Sequence, residues 1–149
     1  MRLFASAEAR APAERVLARL LDVEAHERRA RSRGVEVARL DGEGPPRAGA
    51  AWRLGYEMLG ARRETLLRVA ALDASGARLV AETAGVRGDV AIAVVPLGPD
   101  RSRIEVAADL VARGFGGRLL LGALGAARGD LERRLRRGVE ALAAGASAA

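Results

Sequence analysis

The spacing of hydrophobic residues changes along this chain of 149 residues. Residues 2–9 alternate weakly between apolar and polar positions and predict a first strand. Pro12 suits the first turn of a helix, and the apolar stripe that follows at helical spacing consists of Val16, Leu17, Leu20 and Leu21. Residues 23–33 predict a second, polar helix that ends at Gly34.

From residue 35 onwards the apolar residues recur at every second position, which is typical of strands with one buried face. Short turns rich in glycine, proline and aspartate separate these segments, as in an antiparallel meander. The predicted strands cover residues 35–40, 50–59, 65–72, 77–84, 89–97 and 103–112. In the fourth of these segments Leu79, Ala81 and Thr83 share the apolar face, and in the third Thr65, Leu67, Val69 and Ala71 do so.

The turn after residue 59 can be chosen by charge. A two-residue turn at Gly60 and Ala61 would place Glu57 opposite Glu64, which is repulsive. A four-residue turn over residues 60–63 removes this clash and keeps the apolar faces on one side. We therefore predict the longer turn.

A long helix is predicted over residues 115–143, about 43 Å in length at 1.5 Å per residue. Its apolar side consists of Leu120, Leu124, Ala127, Leu131, Leu135, Val139 and Leu142. One strand, two short helices, six antiparallel strands and a closing helix predict an α+β domain.

Three glycines lie inside the predicted closing helix, and each costs about 1 kcal/mol relative to alanine. Gly122, Gly125 and Gly129 lie away from most of the leucines. Three interpretations are open. The first is that the glycines result from codon usage and are tolerated because packing holds the helix. The second is that the first half of the helix is a mobile lid. The third is that another backbone approaches this half of the helix closely.

Length and composition indicate a single domain over residues 1–149, with a structured core at 2–144 and a tail at 145–149. Cysteine is absent, which excludes disulfides and thiolate chemistry. The first residues lack the apolar run of a signal peptide, and no stretch approaches the ~20 apolar residues of a membrane span. We expect a cytoplasmic protein.

The net charge is +6, and all 25 basic residues are arginine. Acidic residues are interspersed with them, as on a solvated mixed surface. With one Trp, one Tyr and two Phe, base-stacking platforms are hard to build, so nucleic acid is not an expected partner. The arginine excess reflects either codon usage or a role at acidic surfaces, and both interpretations stay open.

The order of elements resembles the START/polyketide-cyclase-like (SRPBCC) superfamily over residues 2–144. The segments that carry this resemblance are "APAERVLARLLDVEAH" after the first strand, a glycine before Trp52 in a long strand, and "RGFGGRLL" before the closing helix. The resemblance implies a helix-grip fold, in which a curved antiparallel sheet of six or seven strands wraps around a long C-terminal helix. It also implies an apolar cavity between them. Family members include lipid carriers, quinone-binding proteins, plant hormone receptors and aromatase/cyclases.

Because aromatic residues are scarce, an aliphatic or lipid-like ligand fits better than a quinone or a planar polyketide. We predict ligand-binding walls from the inward strand faces and the start of the closing helix. The residues are Trp52, Leu54, Tyr56, Met58, Thr65, Leu67, Thr83, Val94, Val106, Leu110, Phe115, Leu120 and Leu124. Tyr56, Thr65 and Thr83 would either orient the ligand or simply fill the core with paired hydroxyls.

No catalytic residue, metal ligand set or cofactor motif is predicted. One histidine and no cysteine cannot form a His-rich or Cys-rich metal site, and no serine lies in a nucleophile motif. Histidine ordinarily titrates near neutral pH, but the charged neighbours of His26 indicate a solvated helix face. Glu57 and Asp109 fall on polar strand faces, which argues against a carboxylate pair in the cavity.

The predicted function is binding or transport of a small hydrophobic molecule by a monomer or homodimer. One alternative is a cyclase/aromatase-type enzyme that uses Tyr56. Its distinguishing feature would be an ionisable side chain in the cavity. The other is an interaction module for acidic lipid or protein surfaces, formed by Arg133, Arg134, Arg136 and Arg137.

Overall fold

A computed structural model describes residues 1–148 of the chain. The order of elements is that of the predicted α+β domain. They are β1 (Arg2–Ala9), α1 (Ala13–Leu20), α2 (Val23–Ser32), β2 (Glu36–Arg39), β3 (Ala51–Met58), β4 (Ala61–Asp73), β5 (Gly76–Thr83), β6 (Val86–Gly98), β7 (Arg101–Ala112), α3 (Gly114–Ala126) and α4 (Arg128–Ala148).

All seven strands form one antiparallel sheet in the order β1-β7-β6-β5-β4-β3-β2. The first strand returns to pair with the last, so β1 lies at one edge and the short β2 at the other. The predicted helix-grip architecture is confirmed. The inward face of β3 also agrees with the predicted alternation, whereas in β5 Val80 is buried, and the predicted inward residues Leu79 and Ala81 are half-buried.

The turn between β3 and β4 differs from the prediction. It has two residues, Leu59 and Gly60, with φ of 54° and 73°, as a two-residue hairpin requires. Starting the turn one residue earlier places Glu57 opposite Arg62, and Glu64 lies 3.2 Å from Arg53. The predicted four-residue turn was wrong, because this register removes the charge clash without lengthening the loop.

A β-bulge in β4 changes which side chain faces inward near its end. The register shifts between Val69 and Ala71, so Leu72 is half-buried while Ala71 is exposed. The prediction that Ala71 shares the inward face was therefore wrong. Strict alternation cannot locate a bulge, because the extra residue has no partner in the sequence pattern.

The closing helix is divided in two at Ala127, which has φ of −95° and ψ of 14°. The Ala127 amide contacts the carbonyl oxygens of both Ala123 (3.2 Å) and Leu124 (3.1 Å). Gly125 and Gly129 flank this position, and glycine lowers helix propensity on both sides of it. The single straight helix that we expected is therefore interrupted.

The apolar side of the closing helices is the predicted one. Leu120, Leu124 and Val139 are buried, and the other predicted positions are half-buried. The expected tail is helical as far as Ala148, with Ala146 fully buried. The Ser147 hydroxyl accepts a hydrogen bond from the Arg10 amide (2.9 Å), which ties the end of α4 to the start of the chain.

The main hydrophobic cluster joins α1 and α4 to strands β1, β6 and β7. Ile104 and Val16 are fully buried within it. The Ser102 hydroxyl, also fully buried, donates to the Ala11 carbonyl (2.8 Å). Small residues on α4 and β1 allow the two elements to approach closely, so α4 packs over the β1 edge of the sheet.

Two smaller clusters lie towards the β2 edge and at one end of the sheet. One contains Ala50, Trp52 and Val69, and the other contains Val86, Leu120 and Leu124. At this end of the sheet the backbone of α3 at Gly117 packs directly against the backbone at Gly85. The contact is so close that a Cβ built on Gly117 would overlap the Gly85 carbonyl.

The glycines of the closing helix therefore divide into two kinds, which alanine substitution can distinguish. In the described chain, a Cβ built on Gly122 meets no atom within 4 Å, so Gly122→Ala should raise the free energy of unfolding by up to about 1 kcal/mol. Gly117→Ala should lower it by roughly 1–3 kcal/mol, because the Gly85 backbone blocks the methyl group. Urea unfolding of both variants measures this. Destabilisation by Gly122→Ala would show that another chain or segment packs on that face.

Candidate functional site

A cavity of about 340 Å³ lies between α2 and the inward face of the β2 half of the sheet. Thirteen of its sixteen described lining residues have apolar side chains without a polar atom, and the others are His26, Glu27 and Trp52. The apolar residues are Leu20, Leu21, Val23, Ala30, Val37, Pro46, Leu54, Leu67, Val69, Leu72, Ala77, Leu79 and Ile92. We call this space the first cavity.

A smaller space of about 280 Å³ lies between the β3–β4 turn and the junction of α3 and α4. Its apolar side chains are those of Met58, Leu59, Leu124, Ala127 and Leu131, and Glu57 is one of its charged lining residues. Asp130 and Arg134 also line it and form an ion pair of 2.9 Å. We call this space the second cavity.

The predicted ligand-binding residues are distributed over several environments. Trp52, Leu54 and Leu67 line the first cavity, whereas Met58 and Leu124 line the second. The remaining apolar sheet and helix positions belong to packed clusters, namely Val94 and Val106 in the main cluster and Leu110 and Leu120 in the cluster at the end of the sheet. Phe115 is 77% exposed and lies on the outside of α3.

The three predicted hydroxyl groups are paired within the protein. Tyr56 and Thr65 share a hydrogen bond of 2.6 Å, and the Thr83 hydroxyl donates to the Glu64 carbonyl (2.7 Å). All three residues lie outside the described lining of both cavities. Their geometry matches the alternative in which the hydroxyls are satisfied by neighbouring protein groups.

The first cavity is closed by α2, whereas we expected the C-terminal helix to close it. Within the described chain, its lining contains no residue from α3 or α4, because α4 packs over the β1 edge instead. Helix α2 starts at Asp22, whose carboxylate accepts from the Ala25 amide (3.2 Å). Its half-buried positions Val23, Glu27 and Ala30 face the cavity.

Glu27 joins α2 to the sheet at the rim of the first cavity. Its carboxylate accepts a hydrogen bond of 3.0 Å from the Trp52 indole nitrogen and lies 3.9 Å from the Arg31 guanidinium. The Glu27 side chain is only 18% exposed. The sequence pattern did not identify Glu27 as a cavity residue, because four charged or polar residues surround it in the sequence.

His26 is mostly exposed but also lines the cavity. Its Nε2 lies 2.8 Å from the Leu20 carbonyl oxygen. A carbonyl only accepts hydrogen bonds, so Nε2 carries a proton and donates it to the Leu20 carbonyl. The solvated helix face that we predicted for His26 is present, but the same ring reaches the cavity rim.

A cation held by a carboxylate lies over the ring of Trp52. The Arg39 guanidinium lies 5.0 Å from the centre of the indole ring and bonds Asp41 at 2.8 and 3.2 Å. Asp41 also accepts from the Ala51 amide (3.1 Å). The hydrogen bond from Arg39 has the largest effect on Asp41 and the one from the Ala51 amide the next largest. Together they lower the pKa of Asp41 to about 2.

Among residues 1–148, no helix is both long and apolar enough to cross a bilayer. The same residues contain no group of three or more histidine and carboxylate side chains placed to hold a metal ion. Of the arginines proposed to meet acidic surfaces, Arg133 and Arg134 lie 3.9 and 2.9 Å from Asp130.

No protein-family model matches the sequence, and comparison with curated proteins found no significant relative. Solved structures are similar over almost the whole chain. The Zhui aromatase/cyclase from Streptomyces sp. R1128 is 17% identical with a TM-score of 0.70, and the alignment covers 98% of this chain and 93% of that one. A protein from Thermus thermophilus is 22% identical with a TM-score of 0.68, and the alignment covers 99% of both chains.

A START superfamily protein from Mycobacterium smegmatis is 20% identical with a TM-score of 0.58, and the alignment covers 95% of this chain and 98% of that one. The chain therefore has the helix-grip fold of the START-like (SRPBCC) superfamily, as its order of elements predicted. At this level of identity the likeness concerns the fold alone.

The charge on Asp41 should stabilise the rim in a pH-dependent way. Because the pKa in the folded protein is about 2, below the ordinary value of about 3.9, the contribution is present above about pH 5 and is lost as pH falls towards 2. Asp41→Asn should therefore be less stable than the wild type at pH 7, and the difference should shrink at pH 3. Urea unfolding at both pH values measures it. A difference that stays constant would contradict the assignment.

Proposed function

We propose that this protein binds a small hydrophobic molecule in the first cavity. The observation that carries the proposal is the cavity itself, whose walls are aliphatic except at one rim. Its volume of about 340 Å³ lies at the lower end of the range of roughly 300–1,000 Å³ typical of small-molecule sites. An apolar molecule would gain free energy by leaving water for these walls.

The lining favours an aliphatic or lipid-like ligand over a flat aromatic one. Trp52 is the one aromatic residue among the described lining residues apart from the His26 ring, and its indole is already engaged by Glu27 and Arg39. Aliphatic side chains form the remaining wall. The proposal therefore retains the ligand class that the composition suggested and moves its site from the C-terminal helix to α2.

The uncharged dye N-phenyl-1-naphthylamine tests the cavity directly. We expect saturable fluorescence enhancement with about one dye per chain. Ala77 lines the cavity, so Ala77→Leu should weaken binding about tenfold, as overfilling a fixed space costs roughly 1–3 kcal/mol. Ala71→Leu is the matched control, since Ala71 is an exposed sheet residue, and its affinity should equal that of the wild type. Absence of saturable binding by the folded wild type would overturn the proposal.

A second function, catalysis of the cyclase/aromatase type, is supported by the two ionisable side chains at the rim. His26 and Glu27 both line the cavity, and the Streptomyces protein of the same fold is an aromatase/cyclase. Tyr56, the residue that we first considered for acid/base work, does not line either cavity in the described chain. The acid/base role would therefore fall to His26.

Native mass spectrometry of protein purified from its own host separates binding from catalysis. A binding protein should carry the same ligand mass in the wild type and in His26→Ala. An enzyme should carry a different mass in His26→Ala, because unconverted substrate accumulates. Arg28→Ala, a change of an exposed residue on the same helix, is the control and should match the wild type. Identical masses in all three proteins would exclude a reaction by His26 that changes the mass of the ligand, such as cyclisation with loss of water.

A further inference from the structure

The two cavities lie at successive positions along the same face of β3. Trp52 and Leu54 line the first cavity and Met58 lines the second, and alternate residues of a strand share one face. Tyr56 lies between them on this face. The four-residue step from Trp52 to Tyr56 spans about 14 Å at roughly 3.4 Å per residue.

The Tyr56 side chain is fixed across the neighbouring strand. Its hydroxyl shares a hydrogen bond of 2.6 Å with that of Thr65, and Thr65 is 8% exposed. Leu54, which lines the first cavity, is the direct cross-strand partner of Thr65. Because the Tyr56 hydroxyl reaches Thr65, the Tyr56 ring is directed towards the Leu54 end of the first cavity. Both residues lie outside the described lining of the two cavities.

The packed clusters are divided at the same place. Leu54 and Leu67 pack with Trp52 on one side, whereas Met58 packs with Leu120 and Leu124 on the other. Apolar residues thus approach the Tyr56–Thr65 pair from both sides. The hydrogen-bonded pair therefore lies between the apolar first cavity and the second cavity, whose lining is apolar at Met58, Leu124 and Leu131 and charged at Asp130 and Arg134.

We propose that the Tyr56 ring, held by Thr65, is the partition behind the Leu54 end of the first cavity and sets the maximum length of its ligand. This inference rests on the proposed function. The Glu27 carboxylate at the opposite end, beside the His26 ring, can accept a hydrogen bond from a ligand head. The ligand class is a short aliphatic molecule with a hydroxyl-type head at the rim and its tail against Tyr56.

Competition between N-phenyl-1-naphthylamine and straight-chain 1-alkanols from about six to about twelve carbons tests the wall. For the wild type, affinity should rise about fourfold per methylene, as burial of one CH₂ predicts, and then stop rising at a limiting length. For Tyr56→Ala the rise should continue past that length, giving about fifteenfold tighter binding of an alkanol two carbons longer. The tail would then enter the second cavity.

Two further variants identify the cause of the change. Tyr56→Phe keeps the ring and removes its hydroxyl, so its limiting length should equal that of the wild type. Tyr56→Leu replaces the ring with a smaller apolar side chain and should extend the limit, and it provides a test if the alanine variant does not fold. Adding Met58→Trp to Tyr56→Ala should restore the wild-type limit, because the tryptophan would fill the second cavity.

The outcomes separate this inference from the function on which it rests. If the wild type binds the dye and the alkanols but every folded variant at Tyr56 keeps the same limit, the wall is elsewhere and the inference fails alone. If the wild type binds neither probe, the proposed function fails and the inference fails with it. An extended limit in Tyr56→Phe would show that the hydrogen bond, and not the ring, closes the cavity.

Discussion

The position of α4 over one edge of the sheet decides where the protein is packed and where it is hollow. Alanines on α4 and β1 let the helix approach closely, and Ala143 and Ala146 are buried in that contact. A helix placed there meets the inward face of β3 only near Met58 and leaves most of the inward faces of β3, β4 and β5 uncovered. Those faces are apolar, and α2 covers them instead. The first cavity is the space left between a curved sheet and this short, polar helix.

Helix α2 is therefore held differently from the other helices. Every residue from 23 to 32 is half-buried or exposed, so apolar packing contributes less here than for α4. Polar contacts compensate, chiefly the hydrogen bond from Trp52 to Glu27. Hydrogen bonds to charged groups contribute about 1.5–3 kcal/mol. Arg39, which is held by Asp41, also lies over the indole ring of Trp52. The element that closes the cavity is thus attached mainly at its rim.

Much of the fold could be predicted from hydrophobic spacing, because most of the strands have one buried face and the helices that pack on the core have clear apolar stripes. The details that failed depend on neighbours in space. The two-residue turn at Leu59 and Gly60 depends on a positive φ at a leucine. The spacing of hydrophobic residues does not predict such a backbone conformation. The bulge that turns Leu72 inward depends on the pairing of β4 with β5.

The site was predicted less well than the fold, for a related reason. Periodicity identifies which side chains face inward, but it cannot tell an inward position beside a cavity from one in a packed cluster. Leu54 lines the first cavity and Val106 lies in the main cluster, although both occupy the same kind of position in the pattern. His26 and Glu27 were missed because α2 is polar on most sides, and only the tertiary structure shows that one side closes a cavity.

The rim groups also bear on the choice between binding and catalysis. The Glu27 carboxylate already accepts from Trp52 and lies close to Arg31, so it is occupied in holding α2 on the sheet. The His26 Nε2 proton is already donated to the Leu20 carbonyl. A carboxylate can accept several hydrogen bonds, so Glu27 can also orient the polar head of an aliphatic ligand. Cyclisation or dehydration would require an acid as well as a base at the reacting atoms, and for this reason the geometry supports binding more strongly than catalysis.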